Sequence, residues 1–252
     1  MDYHEIELMV KGRGSEIFTE FTEPIKVSEN HFAEIGLKSL SLYNSVPNIL
    51  EKVNNCIKIK VPGDDNFEIL QFSTGAFELI GLYDELVQWI ELRHPKLQNV
   101  NENIVMQGNL ATGKCEFILK KGYGFSMNTE NSIAHVLGFN ITSVGEGPAK
   151  FIGPNMVNIS TISTLMVNTN ISVPNFINNR PVPYIFTCTI DVPTGYRLRR
   201  EVPFVRYKKV NTNQISSLKV WITDECGERV NLREEEVVVV ILLRIRKNHV
   251  IL

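Results

Sequence analysis

The chain has 252 residues, 43% of them hydrophobic and 21% charged, and a formal net charge of −2. That is enough apolar content to bury a substantial core in one large β domain or two small ones. The near balance of charge gives no global drive toward nucleic acid or an anionic membrane, so such a partner has to be argued from a local patch.

The opening MDYHEIELMVKGRGSE places charges every few residues and has no apolar segment of the kind a signal peptide requires. The longest apolar run, Val237–Leu243, is far short of the ~20 residues that span a bilayer as a helix. The expectation is an intracellular chain with no membrane segment. Residues 1–22 read as a charged, glycine-containing arm that is flexible by itself, and residues 23–252 as a single domain. Deleting Met1–Glu20 is then expected to leave the fold intact.

From Pro24 to Tyr43 the second half alternates, with Ile35, Leu37 and Leu42 set between Gly36, Lys38 and Ser41. This is a half-buried strand with some slippage in its period. SVPNI then breaks it. NCIKIKVPG is a cleaner strand, Ile57, Ile59 and Val61 on one side and Lys58 and Lys60 on the other, stopped by Pro-Gly. LYDELVQWIELRH predicts the longest helix, with Leu82, Leu86, Trp89 and Ile90 at helical spacing and Pro95 ending it.

NIVMQG, KCEFILKKG and YGFSM are short strands joined by polar turns. A second helix is expected in NTENSIAHVLGFN, capped at Asn128 or Thr129, striped by Ile133, Val136 and Leu137 and terminated by Gly138. Beyond it the chain offers strand and turn chemistry only, through NMVNISTISTLMVNTNIS, YIFTCTIDVPTGYRL, NQISSLKVWITDECGERV and EEEVVVVILLRIR. Many short strands, two brief helical insertions and no βαβ rhythm predict an all-β, antiparallel sandwich.

Several groups invite a chemical reading. GNLATGKC, Gly108–Cys115, matches the phosphate-loop pattern except at its last position, where the hydroxyl that holds Mg²⁺ is missing, and CEFILKKGYG follows it in place of a helix. A polar hairpin turn is the better reading. The five histidines, His4, His31, His94, His135 and His249, are scattered singly, without the paired spacing of a β-sandwich metalloenzyme. His135 falls between the stripe positions of its helix and reads as a structural passenger.

Cys56, Cys115, Cys188 and Cys226 lie far apart, with no C-x-x-C pair, and are expected to be unpaired thiols. The sequons at Asn140, Asn158 and Asn170 matter only in a secretory route. No carboxylate pair is singled out for glycoside hydrolysis, so no catalytic, cofactor-binding or metal-binding residue is assigned, and no cofactor.

One segment has a marked local charge bias. YRLRREVPFVRYKK gathers Arg197, Arg199, Arg200, Arg206, Lys208 and Lys209 against a single Glu201. It can meet nucleic acid through phosphates, or it is a solvated strand face or a contact with an acidic neighbouring subunit. The apolar run at Val237–Leu243 must be a strand covered on both faces, bracketed by Glu234–Glu236 and Arg244–Lys247; a neighbouring subunit or the chain's own core is the cover.

Four stretches in order carry a resemblance: IGLKSLSLYNSVPNI, STGAFELIGLYDELVQWI, NSIAHVLGFN, and the run from DVPTGYRLRREVPFVRYKK through ITDECGERVNLREEEVVVVILLRIR. The most specific are SIAHVLGF, the P-x-G-Y of VPTGY, and the ITDECGERVNLREEE hairpin. With these the chain resembles the minor capsid, or penton, proteins of Polinton (Maverick) elements and adintovirus-like viruses. It departs from their pattern where Cys226 stands in place of an aspartate and Glu234 in place of a glycine.

The resemblance implies a single jelly roll that assembles as a pentamer at the vertices of an icosahedral shell, in a virion whose faces are built by a double jelly-roll major capsid protein. It implies no enzyme activity. The alternative from the residues alone is a monomeric lectin-like or receptor-binding sandwich.

Overall fold

The computed structural model describes residues 3–159 and 162–247. The chain divides into two compact units, one of Met1–Val46 with Ile162–Leu252 and one of Pro47–Thr161. The first unit begins with β1 (Tyr3–Arg13), β2 (Glu16–Lys26) and β3 (His31–Tyr43). The second unit follows, with β4 (Cys56–Lys60), β5 (Glu68–Gln71), α1 (Leu79–Arg93), α2 (Val100–Asn103), β6 (Ile104–Asn109), β7 (Lys114–Leu119), β8 (Gly124–Ser126), α3 (Ala134–Leu137), β9 (Val144–Glu146) and β10 (Ala149–Ile152). The first unit then resumes with β11 (Thr164–Thr169), β12 (Asn175–Ile177), β13 (Arg180–Val182), β14 (Tyr184–Thr189), β15 (Arg197–Glu201), β16 (Lys208–Lys209), β17 (Gln214–Thr223) and β18 (Glu236–Lys247).

In the first unit the strands pair in two large antiparallel sheets, β1-β18-β3-β15 with β16 also on β3, and β14-β11-β17-β2, with β12-β13 a separate two-stranded hairpin. Consecutive strands β1 and β2, and again β17 and β18, lie in different sheets, and the first and last strands of the unit are neighbours. This is the connectivity of a jelly roll, the antiparallel sandwich that the strand-rich sequence predicted. Both sheets turn their buried rows onto one core, Ile35, Leu37, Val239 and Ile241 from one side and Leu165, Val167, Val220 and Ile222 from the other.

The slippage in the β3 pattern has a structural cause. Its inward residues are Ala33, Ile35 and Leu37, then Leu40 and Leu42, and the shift falls opposite the irregularity between Val240 and Ile241 of β18. A bulge there returns the apolar set to the core face after one extra residue. Pro24 is tolerated in β2 because that strand is an edge of its sheet.

The apolar terminal run is the central strand β18, paired along its length with β1 and β3. The chain's own core therefore covers its inward face, where Val237, Val239, Ile241 and Leu243 are buried. Burial of each such side chain contributes ~1.5–3 kcal/mol.

The N-terminal reading is corrected. Residues read as a flexible arm form β1 and the start of β2, and Val10 and Ile17 belong to the core. The alternation of Ile6, Leu8 and Val10 is a strand signal that the charges between them obscure; those charges face outward, where Glu5 meets Arg244 and Glu7 meets Lys38. The single domain over residues 23–252 is likewise divided, since residues 47–161 are a unit with a core of their own between β3 and β11.

That second unit holds both predicted helices. Leu82, Leu86 and Ile90 are the buried face of α1, which starts a turn earlier than the apolar spacing suggested and ends at His94, whose N–H bonds the Ile90 carbonyl. Trp89 sits half-buried at the edge of that face beneath Arg93. The α3 helix is a single turn, not a helix from Asn128; Ser132 Oγ accepts the Ala134 N–H and Gly138 closes the turn at φ 75°. A Cβ at Gly138 would lie 2.5 Å from the Asn155 carbonyl, so the position needs glycine twice over.

The unit's sheets, β5-β4-β8-β9 and β10-β7-β6, enclose Phe117, Phe125 and Phe139, with ring centroids 4.4–5.7 Å apart. Its two ends meet at Asn48. The Asn48 side chain donates to the Phe77 carbonyl (2.7 Å) and the Ile159 carbonyl (3.0 Å) and accepts the Phe77 N–H (2.8 Å). An insert whose ends are tied together interrupts a host chain with little disturbance.

Candidate functional site

The basic segment is the outer edge of a jelly-roll sheet. β15 and β16 both pair with β3, and the residues between them cross over it. Gly36 permits that crossing: a Cβ there would fall 2.4 Å from Val205 Cγ1 and 2.9 Å from the Arg206 carbonyl.

Strand alternation divides the cations. Arg197 points outward, bonding Ser41 Oγ (2.8 Å) and Glu236 (3.1 Å) with its guanidinium 5.2 Å from the Tyr43 ring. Leu198 is fully buried, and Arg200, on the same side, neutralises its charge on Asp191 and donates to the Thr189 carbonyl (3.0 Å). Arg200 holds the Asp191 carboxyl below its ordinary range. Lys208 donates to Asn175 Oδ1 (2.9 Å) and lies 5.6 Å from the Tyr184 ring.

Arg199, Arg206 and Lys209 are exposed and have no ion-pair partner among the described residues. Of the six cations only Arg197 and Arg200 are ion-paired among the described residues, so the electrostatic footprint available for phosphates is about two-thirds of the one the sequence displayed, because an ion-paired cation releases no counterion on binding.

Beside this edge lies a cleft of about 390 Å³, lined by Tyr184–Thr187 of β14, Val202, Phe204, Arg206 and Lys208 over the floor residue Leu37. Among the described residues β14 is the edge of its own sheet, with β11 on one side and no strand on the other. Phe204 is 89% exposed at the rim. An unpaired strand edge beside an exposed aromatic has the geometry to which a further strand can add.

The remaining candidates resolve as structure. His135 is exposed on α3, with Asn158 Nδ2 3.4 Å from its Nε2. The phosphate-loop look-alike is the β6–β7 hairpin turn, where Asn109 Oδ1 accepts the N–H groups of Ala111 and Thr112 and Gly113 takes φ 67°. Cys56, Cys115 and Cys188 are buried, with Cys115 pushed up to about 12 and Cys188 to about 11 by loss of solvation; Cys226 is exposed. His249 lies outside the described residues.

Two groupings were invisible in the sequence. Asp64, Glu68 and His94 can offer ligand atoms within 4.8 Å of one another. The His94 Nδ1 faces Asp64 at 3.7 Å and its Nε2 faces Glu68 at 3.6 Å, while Arg93 holds the other Glu68 oxygen at 3.1 Å. With its nitrogens turned to different carboxylates and Arg93 on one of them, the histidine works as a clamp between the β4–β5 connection and the end of α1.

The other is Glu116, 2% exposed, which takes bonds from Asn109 (2.9 Å), Lys150 (2.9 Å) and Gln107 (3.1 Å). These donors, Asn109 foremost, bring its carboxyl down to about 2. A carboxylate held ionised by three donors braces the hairpin and is a poor proton donor. No helix among the described residues is long and apolar enough to cross a membrane.

The sequence matches no protein-family profile and no curated protein. The fold does have counterparts. The crystal structure of selenomethionine-labelled mavirus penton protein superposes with a TM-score of 0.52 at 9% identity, over 96% of this chain and 99% of that one. The chain thus has the fold of a viral penton protein, inserted unit included.

Proposed function

We propose that the protein is a non-enzymatic minor capsid subunit of a virus-like element of the Polinton kind, a penton that forms five-membered rings at the vertices of an icosahedral shell. The observation that carries this reading is the shared fold with the mavirus penton protein over 96% of the chain. A sandwich alone would be weak support, because that architecture hosts many functions. Agreement that extends through the unit at Pro47–Thr161 is more particular.

The chemistry of the surface points the same way. The charged groups brought together here are consumed in braces such as Glu116 with Lys150 and Glu5 with Arg244, while β14 and its cleft stand open to a polypeptide. In this reading the protein resides in the virion and meets two partners, further copies of itself and a double jelly-roll major capsid protein.

Light scattering on the purified chain over a range of concentration and salt tests the proposal. A species near five times 28.6 kDa is expected. A monomer under every condition, alone and with the major capsid protein present, overturns it.

A further inference from the structure

The jelly roll has two open flanks, one at each end of its paired sheets. β1 and β2 edge the two sheets on one side, and β14 with β15 and β16 edge them on the other. Their surfaces differ in charge. Along β2 the exposed Glu20, Glu23 and Lys26 have no ion-pair partner among the described residues, a net unpaired charge that is negative, whereas Glu16 is held by Lys219 and Arg229. The opposite flank presents the unpaired cations Arg199, Arg206 and Lys209 against the single exposed Glu201, a net unpaired charge that is positive.

Each flank also exposes an aromatic that an isolated strand edge would hide, Phe18 at 55% on β2 and Phe204 at 89% beside the cleft. Edge strands left open in this way are templates for pairing unless they are covered.

We infer that these flanks are the two halves of one heterologous contact, the acidic β2 edge of one copy seating against the basic β14–β16 edge and cleft of the next. A patch that meets a different patch on its neighbour repeats head to tail and closes into a ring when the rotation allows. Two identical flanks would set a net excess of like charge against itself, whereas unlike flanks set opposite excesses together. The inference rests on the vertex reading above and supplies its missing element, the surface through which copies join. The exposed Phe204 in the cleft is the anchor, and Arg206 and Lys209 beside Glu20 and Glu23 set the direction of the ring.

The test uses charge reversal in the full chain, read by mass in solution with circular dichroism as the check on folding. All four charged positions are on the surface, so the fold is expected to persist. Glu20→Arg with Glu23→Arg is expected to lower the mass to that of one chain, and so is Arg206→Glu with Lys209→Glu. All four changes together recreate opposite flanks and are expected to restore the ring. Phe204→Asp is expected to abolish it without a charge partner to rescue it. A wild-type pentamer unmoved by either reversal, or a fourfold variant that stays monomeric, overturns the pairing of these flanks and leaves the vertex reading standing. A wild-type monomer throughout removes both.

Discussion

At the scale of single residues, the clearest instruction is at the turn before β18. Two successive side-chain-bearing residues there are left-handed, Arg233 at φ 51° and Glu234 at φ 57°. A left-handed conformation costs a side-chain-bearing residue ~1–2 kcal/mol, part of which glycine returns as chain entropy. Glu234→Gly is therefore expected to stabilise the protein by under ~1 kcal/mol, visible as a small rise in thermal midpoint; a fall would show that the Glu234 side chain contributes more than its strain.

Acid stability is set by the braced carboxylates. Glu116 lies at about 2, and Glu5, Glu16, Asp191 and Glu236 are also lowered, chiefly by hydrogen bonds from Tyr207, Lys219, Arg200 and Lys11 respectively. A carboxyl lowered on folding contributes stability that is present above its ordinary value, 4.5 for the glutamates and 3.8 for Asp191, and lost as pH falls toward the folded one. Urea midpoints are expected to hold above pH 5 and to decline from pH 4.5 toward 2. Glu116→Gln is expected to lower the midpoint at neutral pH and to make it less sensitive to acid; an unchanged acid profile would refute the role given to Glu116.

At the scale of elements, alternation decides more than composition. β1 and β2 carry enough charge to look like an arm, yet every second residue of β1 from Ile6 to Val10 packs toward the core and the strand pairs with β18 along its whole length. Deleting Met1–Glu20 removes β1 and the first half of β2, which bares the β18 edge and shortens the edge strand of the other sheet. Loss of the cooperative melt and aggregation are expected, the reverse of what the charge pattern alone suggested; a truncated chain with a native-like melt would restore the arm. The same rule explains the basic segment. Residues that are adjacent in sequence, such as Leu198 and Arg199, point to opposite faces of a strand, so a run of cations never becomes one continuous patch.

At the scale of the whole molecule, residues 47–161 have their own core and their ends are tied at Asn48. A fragment of these residues is expected to fold alone with a cooperative transition, as a compact unit should. An unfolded fragment in circular dichroism would show that its stability depends on the jelly-roll strands. The sequence did not announce this unit, because SVPNI reads as an ordinary break and nothing in its composition sets residues 47–161 apart.

What the sequence by itself determined was local. The alternation of Ile57–Val61 and the helical spacing of Leu82–Ile90 settle strand and helix, because side-chain direction follows directly from backbone geometry, and the β-branched run of Val237–Leu243 settles a strand. The turn residues Gly113, Gly138 and Gly227 fix where elements stop, since their left-handed φ is costly for other residues.

Only the tertiary structure decided which strands are neighbours, where one core gives way to another, and which charges remain unpaired. Those depend on contacts between residues far apart in the chain, such as Glu5 with Arg244 or Asn48 with Ile159. No short-range pattern encodes them, and which strands are left at the edges of the sheets follows only from such contacts.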